Sequence, residues 1–202
     1  MRLDQALARI QQTGQTVMRT ADVMGLLDVN KDHASQILSR LAGSGHLLRL
    51  KRGTWLVART RDPLPLVGYL TAPLPSYISL QTALYHHGMI SQMPTVIYCV
   101  SLTRTRVYAT PVGTFSVHHI SAPFFCAYEQ HGVKGVQMAT PEKALLDFLY
   151  LSSTKTRLFA ALPELDLSAG FRIRNAERLL LRIPSRHRRT MVQRKLRHVT
   201  KS

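Results

Sequence analysis

The 202-residue sequence predicts an α+β fold in two parts, a small helical domain that ends in a hairpin and a larger mixed α/β domain with a helical, basic C-terminus. Apolar residues recur at helical spacing three times within the first 43 residues. A basic hairpin pattern follows, and beyond it runs rich in Val, Ile, Phe and Tyr lie among helical segments. We therefore expect domains at residues 1–60 and 76–202, joined by a linker at 61–75.

The positive charge of the chain is concentrated at its two ends. The sequence holds 27 Lys and Arg against 11 Asp and Glu, a formal net charge of +16. Residues 1–62 contribute +5, residues 63–171 contribute +1 and residues 172–202 contribute +10. Such a balance favours a polyanionic partner, either nucleic acid or an anionic membrane surface. Charge alone does not choose between these two partners. The N-terminus lacks the uninterrupted apolar stretch of a secretory signal, and no stretch approaches the ~20 apolar residues of a membrane span, so we expect a cytoplasmic protein. We expect nucleic acid, not a membrane, as its partner.

The first two helices are short and amphipathic. Apolar residues at i, i+3, i+4 and i+7 from Leu3 to Ile10 predict the first, which should end near Gly14. The second should begin after Thr20, whose hydroxyl can cap the first turn, with Asp22 favourably placed against the positive end of the helix dipole.

A third helix should begin with Asn30 as its N-cap and end at Gly43. One face is apolar, and the opposite face carries short, hydrogen-bonding side chains rather than the Glu and Lys of a solvated surface. The residues that we expect to contact DNA from this helix are Lys31, His33, Ser35, Gln36, Ser39 and Arg40. Gln pairs bidentately with adenine and Arg with guanine in the major groove. The alternative is a protein-docking helix, since small helical domains with polar outer faces also serve that role.

A basic hairpin follows the third helix. Residues 46–50 and 54–58 alternate apolar and polar side chains around Lys51-Arg52-Gly53, a turn sequence. Three helices followed by a basic hairpin is the pattern of a winged helix-turn-helix. We therefore expect Lys51 and Arg52 along the DNA backbone or in the minor groove. Pro63 and Pro65 lie in the linker that follows, because proline stops the preceding strand.

The larger domain is predicted from mixed signals. Strands are expected at residues 95–102, 114–121, 124–130 and 133–139, and helices at 79–87, 140–151, 156–162, 174–183 and 186–199. The helix at 140–151 has the strongest start, with Thr140 as cap, Pro141 in the first position and Glu142 in the first turn. Its body is apolar nearly all round, which predicts a central place in the core.

The last 31 residues carry basic residues beside apolar stripes. The expected basic surface consists of Arg174, Arg178, Arg182, Arg186, Arg188, Arg189, Arg194, Lys195 and Arg197. Glu177 is the single acidic residue in this stretch, so like charges at i, i+4 remain uncompensated. This pattern indicates a surface for nucleic acid or an acidic partner; a solubilising tail is the alternative.

Signals for an enzyme are weak, and we expect no catalytic residues, metal or cofactor. The pairs His86-His87 and His118-His119 lack carboxylate or Cys neighbours at metal-ligand spacing, and no phosphate-binding loop or nucleophile elbow occurs. Cys99 is expected to be a reduced core residue, as is Cys126.

Taken together, the N-terminal pattern, the segments SLQTALYHHGMI (79–90) and TPEKALLDFLYL (140–151), and the Arg-rich end resemble the AbiE-type antitoxins of type IV toxin–antitoxin systems. The resemblance covers nearly the whole chain. It implies that the winged helix binds operator inverted repeats and represses its own operon, with residues 31–40 as the reading helix and Lys51-Arg52 as the wing. It also implies that the basic C-terminal surface participates in countering a nucleotidyltransferase toxin, with or without a stable complex.

Two other functions remain open from the residues alone. One is a stand-alone transcription factor, and the other is a nucleic-acid-acting enzyme that the winged helix recruits to its substrate.

Overall fold

The computed structural model describes residues 2–58, 60, 62–132, 135–152, 164–167 and 170–200. The chain divides into two compact units. The first contains Met1–Leu70 and Tyr108–Gly113, and the second contains Thr71–Val107 and Thr114–Ser202. Helices and two β-sheets are present, which confirms the α+β class. None of the described helices is long and apolar enough to cross a membrane.

The first unit combines helices with a three-stranded antiparallel sheet. Its elements are α1 (Leu3–Gln12), β1 (Val17–Arg19), α2 (Thr20–Leu27), α3 (Lys31–Gly43), β2 (Leu48–Lys51), β3 (Thr54–Leu56) and α4 (Leu66–Thr71). The sheet order is β1-β3-β2. One hydrophobic core collects the apolar faces of α1, α2 and α3 with Trp55 of β3, so the three predicted helices and the predicted hairpin are confirmed. Asn30 is confirmed as the cap of α3, because its Oδ1 accepts the His33 backbone N–H at 2.9 Å.

The prediction that Thr20 caps α2 is wrong. Arg19 occupies the N-cap position, and Asp22 Oδ2 accepts the Arg19 backbone N–H at 2.7 Å. The Thr20 hydroxyl instead accepts the indole N–H of Trp55 at 3.1 Å. The cause is β1, a strand too short for its pattern to predict, which pairs with β3 and brings Thr20 to the hairpin.

The segment 61–75 is only partly the linker that the sequence predicts, because α4 lies within it. Leu66, Val67 and Leu70 of this short helix are buried. Pro63 and Pro65 indicate a loop, but they precede the helix rather than interrupt it. The apolar run after the second proline therefore supplies packing surface.

Apart from its residues Tyr108–Thr110 and Gly113, a six-stranded mixed sheet belongs to the second unit, which also has four helices among its described residues. Its elements are β4 (Ser76–Ile78), α5 (Leu80–His86), β5 (Val96–Ser101), β6 (Arg106–Thr110), β7 (Gly113–His119), β8 (Tyr128–His131), β9 (Val136–Ala139), α6 (Pro141–Leu151), α7 (Ile173–Leu180) and α8 (Arg186–Val199). The sheet order is β6-β7-β5-β4-β9-β8. The pairs β4/β9 and β5/β7 are parallel.

Several boundaries in this unit differ from the expected ones. The strand expected at 124–130 begins only at Tyr128, because a 3₁₀ turn covers Ala122–Phe124 and Ala127 adopts a left-handed φ of 56° that interrupts extended backbone. Strands β4 and β6 were not predicted, and α7 ends at Leu180 rather than at residue 183. The helix expected at 156–162 lies outside the described residues.

Helix α6 forms the centre of the second unit, as its all-round apolar pattern predicts. Every residue from Glu142 to Leu151 is buried, and Thr140 caps the helix through the Lys143 backbone N–H at 3.4 Å. Lys143 and Asp147 are fully buried and form an ion pair one turn apart. The Asp147 carboxylate also accepts the hydroxyls of Tyr77 at 3.0 Å and Ser79 at 2.8 Å.

The surroundings of this pair are apolar. The Lys143 ammonium lies 3.6 Å from the centre of the Phe124 ring, a cation–π contact. Burial, which penalises each charged form, raises the pKa of Asp147 and lowers the pKa of Lys143, while the attraction between the two opposes both shifts. Each charge is therefore tolerated only in the presence of the other.

We expect Asp147→Asn to lower the free energy of unfolding by about 3–5 kcal/mol, because it leaves a buried ammonium without its counter-charge. Lys143→Met should cost a similar amount. The double variant Lys143→Met/Asp147→Asn removes both charges and keeps an acceptor for the hydroxyls of Tyr77 and Ser79, so it should lose less than either single variant. Urea unfolding followed by circular dichroism measures this, with Glu177→Ala on exposed α7 as control. Additive losses in the double variant would contradict the coupling.

Candidate nucleic-acid interface

The exposed face of α3 is polar and sparsely charged. Ala34, Ile37, Leu38 and Leu41 are buried on one side. Of the six predicted contact residues, Lys31, His33, Gln36, Ser39 and Arg40 are exposed and Ser35 is half-buried. At about 100° per residue, Asp32, Gln36 and Ser39 lie near the middle of the exposed face. His33 and Arg40 lie at one border, and Lys31 and Ser35 lie at the other.

The side chains of this face are available for an external ligand. In the part of the chain that the structure describes, none of them takes part in an ion pair. Gln36 offers an amide, Ser39 a hydroxyl and Arg40 a guanidinium, which together can read base edges in a major groove without breaking internal bonds. Four buried apolar residues hold the helix against the core and leave this face exposed.

The hairpin of β2 and β3 turns at Arg52 and Gly53, where Gly53 takes a left-handed φ of 73°. Its tip is tied to the start of α2, because the Gly53 carbonyl accepts the Thr20 backbone N–H at 3.0 Å. Arg52 is exposed at this tip. Lys51 is half-buried, and its ammonium donates to the Leu70 carbonyl at 2.8 Å. Of the two predicted wing residues, Arg52 therefore projects outward and Lys51 is bound within its own unit.

Two further exposed basic residues lie on the three-stranded sheet, Arg19 at the end of β1 and Arg49 on β2. The sequence offered a signal for Arg49, since it alternates with the apolar Leu48 and Leu50. For Arg19 the signal was weaker, because β1 has only three residues. Neither residue was among those predicted to contact DNA.

The nine basic residues predicted near the C-terminus separate into two groups. Three make contacts within the second unit. The Arg188 guanidinium lies 4.4 Å from the centre of the Tyr150 ring, Arg189 donates twice to the Ile183 carbonyl at 3.1 and 2.7 Å, and Lys195 donates to Ser152 Oγ at 2.9 Å. Burial lowers the pKa of Lys195. These three attach α8 to α6 and satisfy a carbonyl just beyond the end of α7.

The other six are exposed: Arg174, Arg178, Arg182, Arg186, Arg194 and Arg197. Arg174, Arg178 and Arg182 follow one another at four-residue spacing on α7 and just beyond it. Arg186, Arg194 and Arg197 lie within about 80° of one another around α8. The structure therefore presents two short rows of arginines, and we name these six residues the arginine rows.

The second unit also contains a polar pocket of about 290 Å³ at the start of α6, whose lining includes His87, Glu142, Arg172 and Asn175. Glu142 Oε1 accepts the Arg172 backbone N–H at 2.9 Å, and a ring nitrogen of His87 lies 2.7 Å from the Ala139 carbonyl oxygen.

His118 does not line this pocket. It is buried against Ser116, and burial lowers its pKa to about 4. Within the described ranges, His, Cys, Asp and Glu side chains form no group of three that could hold a metal ion.

No protein-family model matches this chain, and no curated protein is detectably similar to it. Its function must therefore be inferred from the geometry of the two units.

We expect Lys51→Met to lower the free energy of unfolding of the first unit by about 1–2 kcal/mol, because the Leu70 carbonyl loses a charged donor. Arg52→Met, the same change one residue on, should leave stability within about 0.5 kcal/mol because the side chain is exposed. The fluorescence of Trp55, the one tryptophan in the sequence, follows urea unfolding of this unit specifically. Equal losses in the two variants would show that the Lys51 contact contributes nothing.

Proposed function

We propose that this protein is a DNA-binding transcriptional autorepressor and antitoxin of a type IV toxin–antitoxin system, and that its first unit is a winged helix-turn-helix. The observation that carries the proposal is the exposed face of α3, rich in hydrogen-bonding groups and without internal ion pairs among the described residues. A basic hairpin tip, anchored beside the start of α2, accompanies it. A helix for the bases and a hairpin for the backbone are the two parts that such a domain requires.

In this proposal α3 enters the major groove. Gln36, Ser39 and Arg40 meet base edges, while Lys31 meets a phosphate near the start of the helix. Arg52 lies against the flanking backbone or in the minor groove. Two copies of the protein bind the two halves of an inverted repeat upstream of its own operon, since a two-fold operator matches a two-fold protein arrangement.

The antitoxin part of the proposal rests on the second unit. The resemblance to AbiE-type antitoxins implies that this part of the chain counters a nucleotidyltransferase toxin in the cytoplasm, directly or indirectly. The arginine rows support it, because six exposed guanidinium groups without a compensating acidic ridge favour an anionic partner. Arg188, Arg189 and Lys195 support the surface from within rather than contact the partner.

A second candidate is an enzyme that acts on nucleic acid, and the polar pocket beside α6 is the place where it would act. In this candidate, His87 would act as the base and Glu142 as the acid. Incubation of the full chain with labelled DNA and RNA, with and without Mg²⁺ or Mn²⁺, tests this candidate. Turnover that disappears in Glu142→Gln would favour it over the regulator.

Gel shifts with the DNA upstream of the protein's own gene test the regulator. We expect specific, salt-sensitive binding that Arg40→Glu weakens by about tenfold or more, because it replaces a base-reading guanidinium with a charge that the phosphates repel. Arg9→Glu makes the same charge change on exposed α1 and should have a much smaller effect. Equal affinity for the upstream DNA and a scrambled duplex would contradict the proposed regulatory function.

Separate variants should uncouple the two halves of the function. In cells that carry the adjacent gene, Arg174→Gln/Arg178→Gln/Arg182→Gln should lose protection from toxicity and keep operator binding, because it neutralises one arginine row without touching the first unit. Arg40→Glu should do the reverse. Growth and a promoter reporter measure the two outputs. Full protection by the triple variant would exclude this row from antitoxicity.

A further inference from the structure

Trp55 lies on the central strand of the first unit's sheet, where it contacts the neighbouring strands, the helical core and the start of α2. The strand register places Met18 of β1 on one side of it and Arg49 of β2 on the other. Its side chain is 4% exposed and belongs to the core that α1, α2 and α3 share. Its indole N–H donates to the Thr20 hydroxyl at 3.1 Å, and the Thr20 backbone N–H donates to the carbonyl at the hairpin tip. Trp55 is therefore fixed in place by packing and by a hydrogen bond.

The Arg49 guanidinium carbon lies 5.6 Å from the centre of the Trp55 ring. Arg49 is exposed and makes no ion pair with any residue that the structure describes. A cation–π contact uses the flat face of the guanidinium, whereas its five N–H donors point outward in the plane. The contact restrains the side chain, and because Arg49 is exposed, its N–H edge is accessible to an external ligand. A phosphate is the ligand that such an edge fits, because it accepts two parallel N–H bonds.

A β-bulge explains why Arg49 and Lys51 behave differently. On β2 the register shifts between these two residues, so that Arg49 pairs with Trp55 and Lys51 pairs with Thr54. Successive residues of β3 point to opposite faces of the sheet, and directly paired residues share a face. Without the bulge, residues two apart would share a face. With it, Arg49 lies on the helical face beside Trp55, and Lys51 lies on the other face, where Leu70 binds it.

We propose that Arg49 is a phosphate-binding residue for the DNA backbone, that Trp55 is its positioning residue, and that Arg49 takes the place of Lys51 in the wing. The inference rests on the proposed DNA-binding function and adds a contact that the sequence pattern assigned to the neighbouring cation. Its ligand is a DNA phosphodiester, so the contact contributes affinity without reading sequence.

The test uses the full chain and a fluorescently labelled duplex of its upstream DNA, with anisotropy measured between 50 and 200 mM salt. Arg49→Gln should reduce the slope of log affinity against log salt by about 0.9, the value for one phosphate contact. Across this salt range the wild-type affinity should then fall about threefold more than that of the variant. The loss should be equal on the operator and on a scrambled duplex. Arg49→Lys should restore the slope because it restores the charge.

Lys51→Gln is the matched control, and it should leave the slope unchanged. Partial unfolding of that variant would lower the active fraction of the protein and leave the salt slope intact. For the positioning role, Arg49→Gln should cost less in a Trp55→Phe background than in the wild type, since the smaller ring holds the guanidinium less firmly.

Two outcomes overturn the inference while leaving the regulator intact. One is specific operator binding with an unchanged slope in Arg49→Gln, and the other is a slope reduction in Lys51→Gln instead. Independent costs of the Arg49 and Trp55 changes would remove the positioning role. Wild-type protein that does not distinguish the operator from the scrambled duplex refutes the proposed function itself, so the two failures are separable.

Discussion

The packing of the second unit depends on the contacts of one buried group, the Asp147 carboxylate. It receives the Lys143 ammonium from its own helix, the Tyr77 hydroxyl from β4 and the Ser79 hydroxyl from the residue that precedes α5. One side chain thus joins the central helix, the sheet and a second helix. An apolar residue at this position would bury more hydrocarbon, but two hydroxyls would lose their acceptor. Since α7 and α8 pack on α6, the arginine rows are held by a helix whose own position this carboxylate determines.

Basic residues in this chain have two distinct uses, and exposure separates them. Lys143, Lys51, Arg188, Arg189 and Lys195 make internal contacts with a carboxylate, carbonyls, a ring or a hydroxyl. These groups are partly desolvated because they contact other parts of the protein. They are therefore poorly placed to bind an external ligand. The exposed arginines of α3, the hairpin and the arginine rows keep their hydration until a ligand replaces it. A formal charge of +16 therefore overstates the charge that a partner meets.

The sequence predicted the parts of the structure that periodicity and capping determine. Helix α8 begins and ends at the predicted residues, α6 has its predicted cap, and α3 presents the predicted polar face. It could not predict what depends on contacts between distant residues. Three-residue β1 is a strand because β3 lies beside it, and Thr20 then binds Trp55 35 positions away rather than its own helix. Lys51 and Arg49 lie on different faces of the sheet because of a β-bulge, which no local pattern in residues 48–52 reveals.

In the proposed function, the reading of DNA sequence and the attraction of a polyanion are carried out by different parts of the molecule. The face of α3 offers an amide and hydroxyls as well as charge, and such groups distinguish one base pair from another. The arginine rows offer mainly charge, which attracts any polyanion and weakens as salt rises. In the proposed function, specificity for an operator therefore comes from the first unit. Specificity in the second unit must come from shape or from apolar neighbours, and Leu181, 69% exposed between Arg178 and Arg182, is such a neighbour. In the proposed antitoxin function, a partner that contacts both this leucine and the arginines would present an apolar patch within an acidic surface, which a protein provides more readily than a duplex.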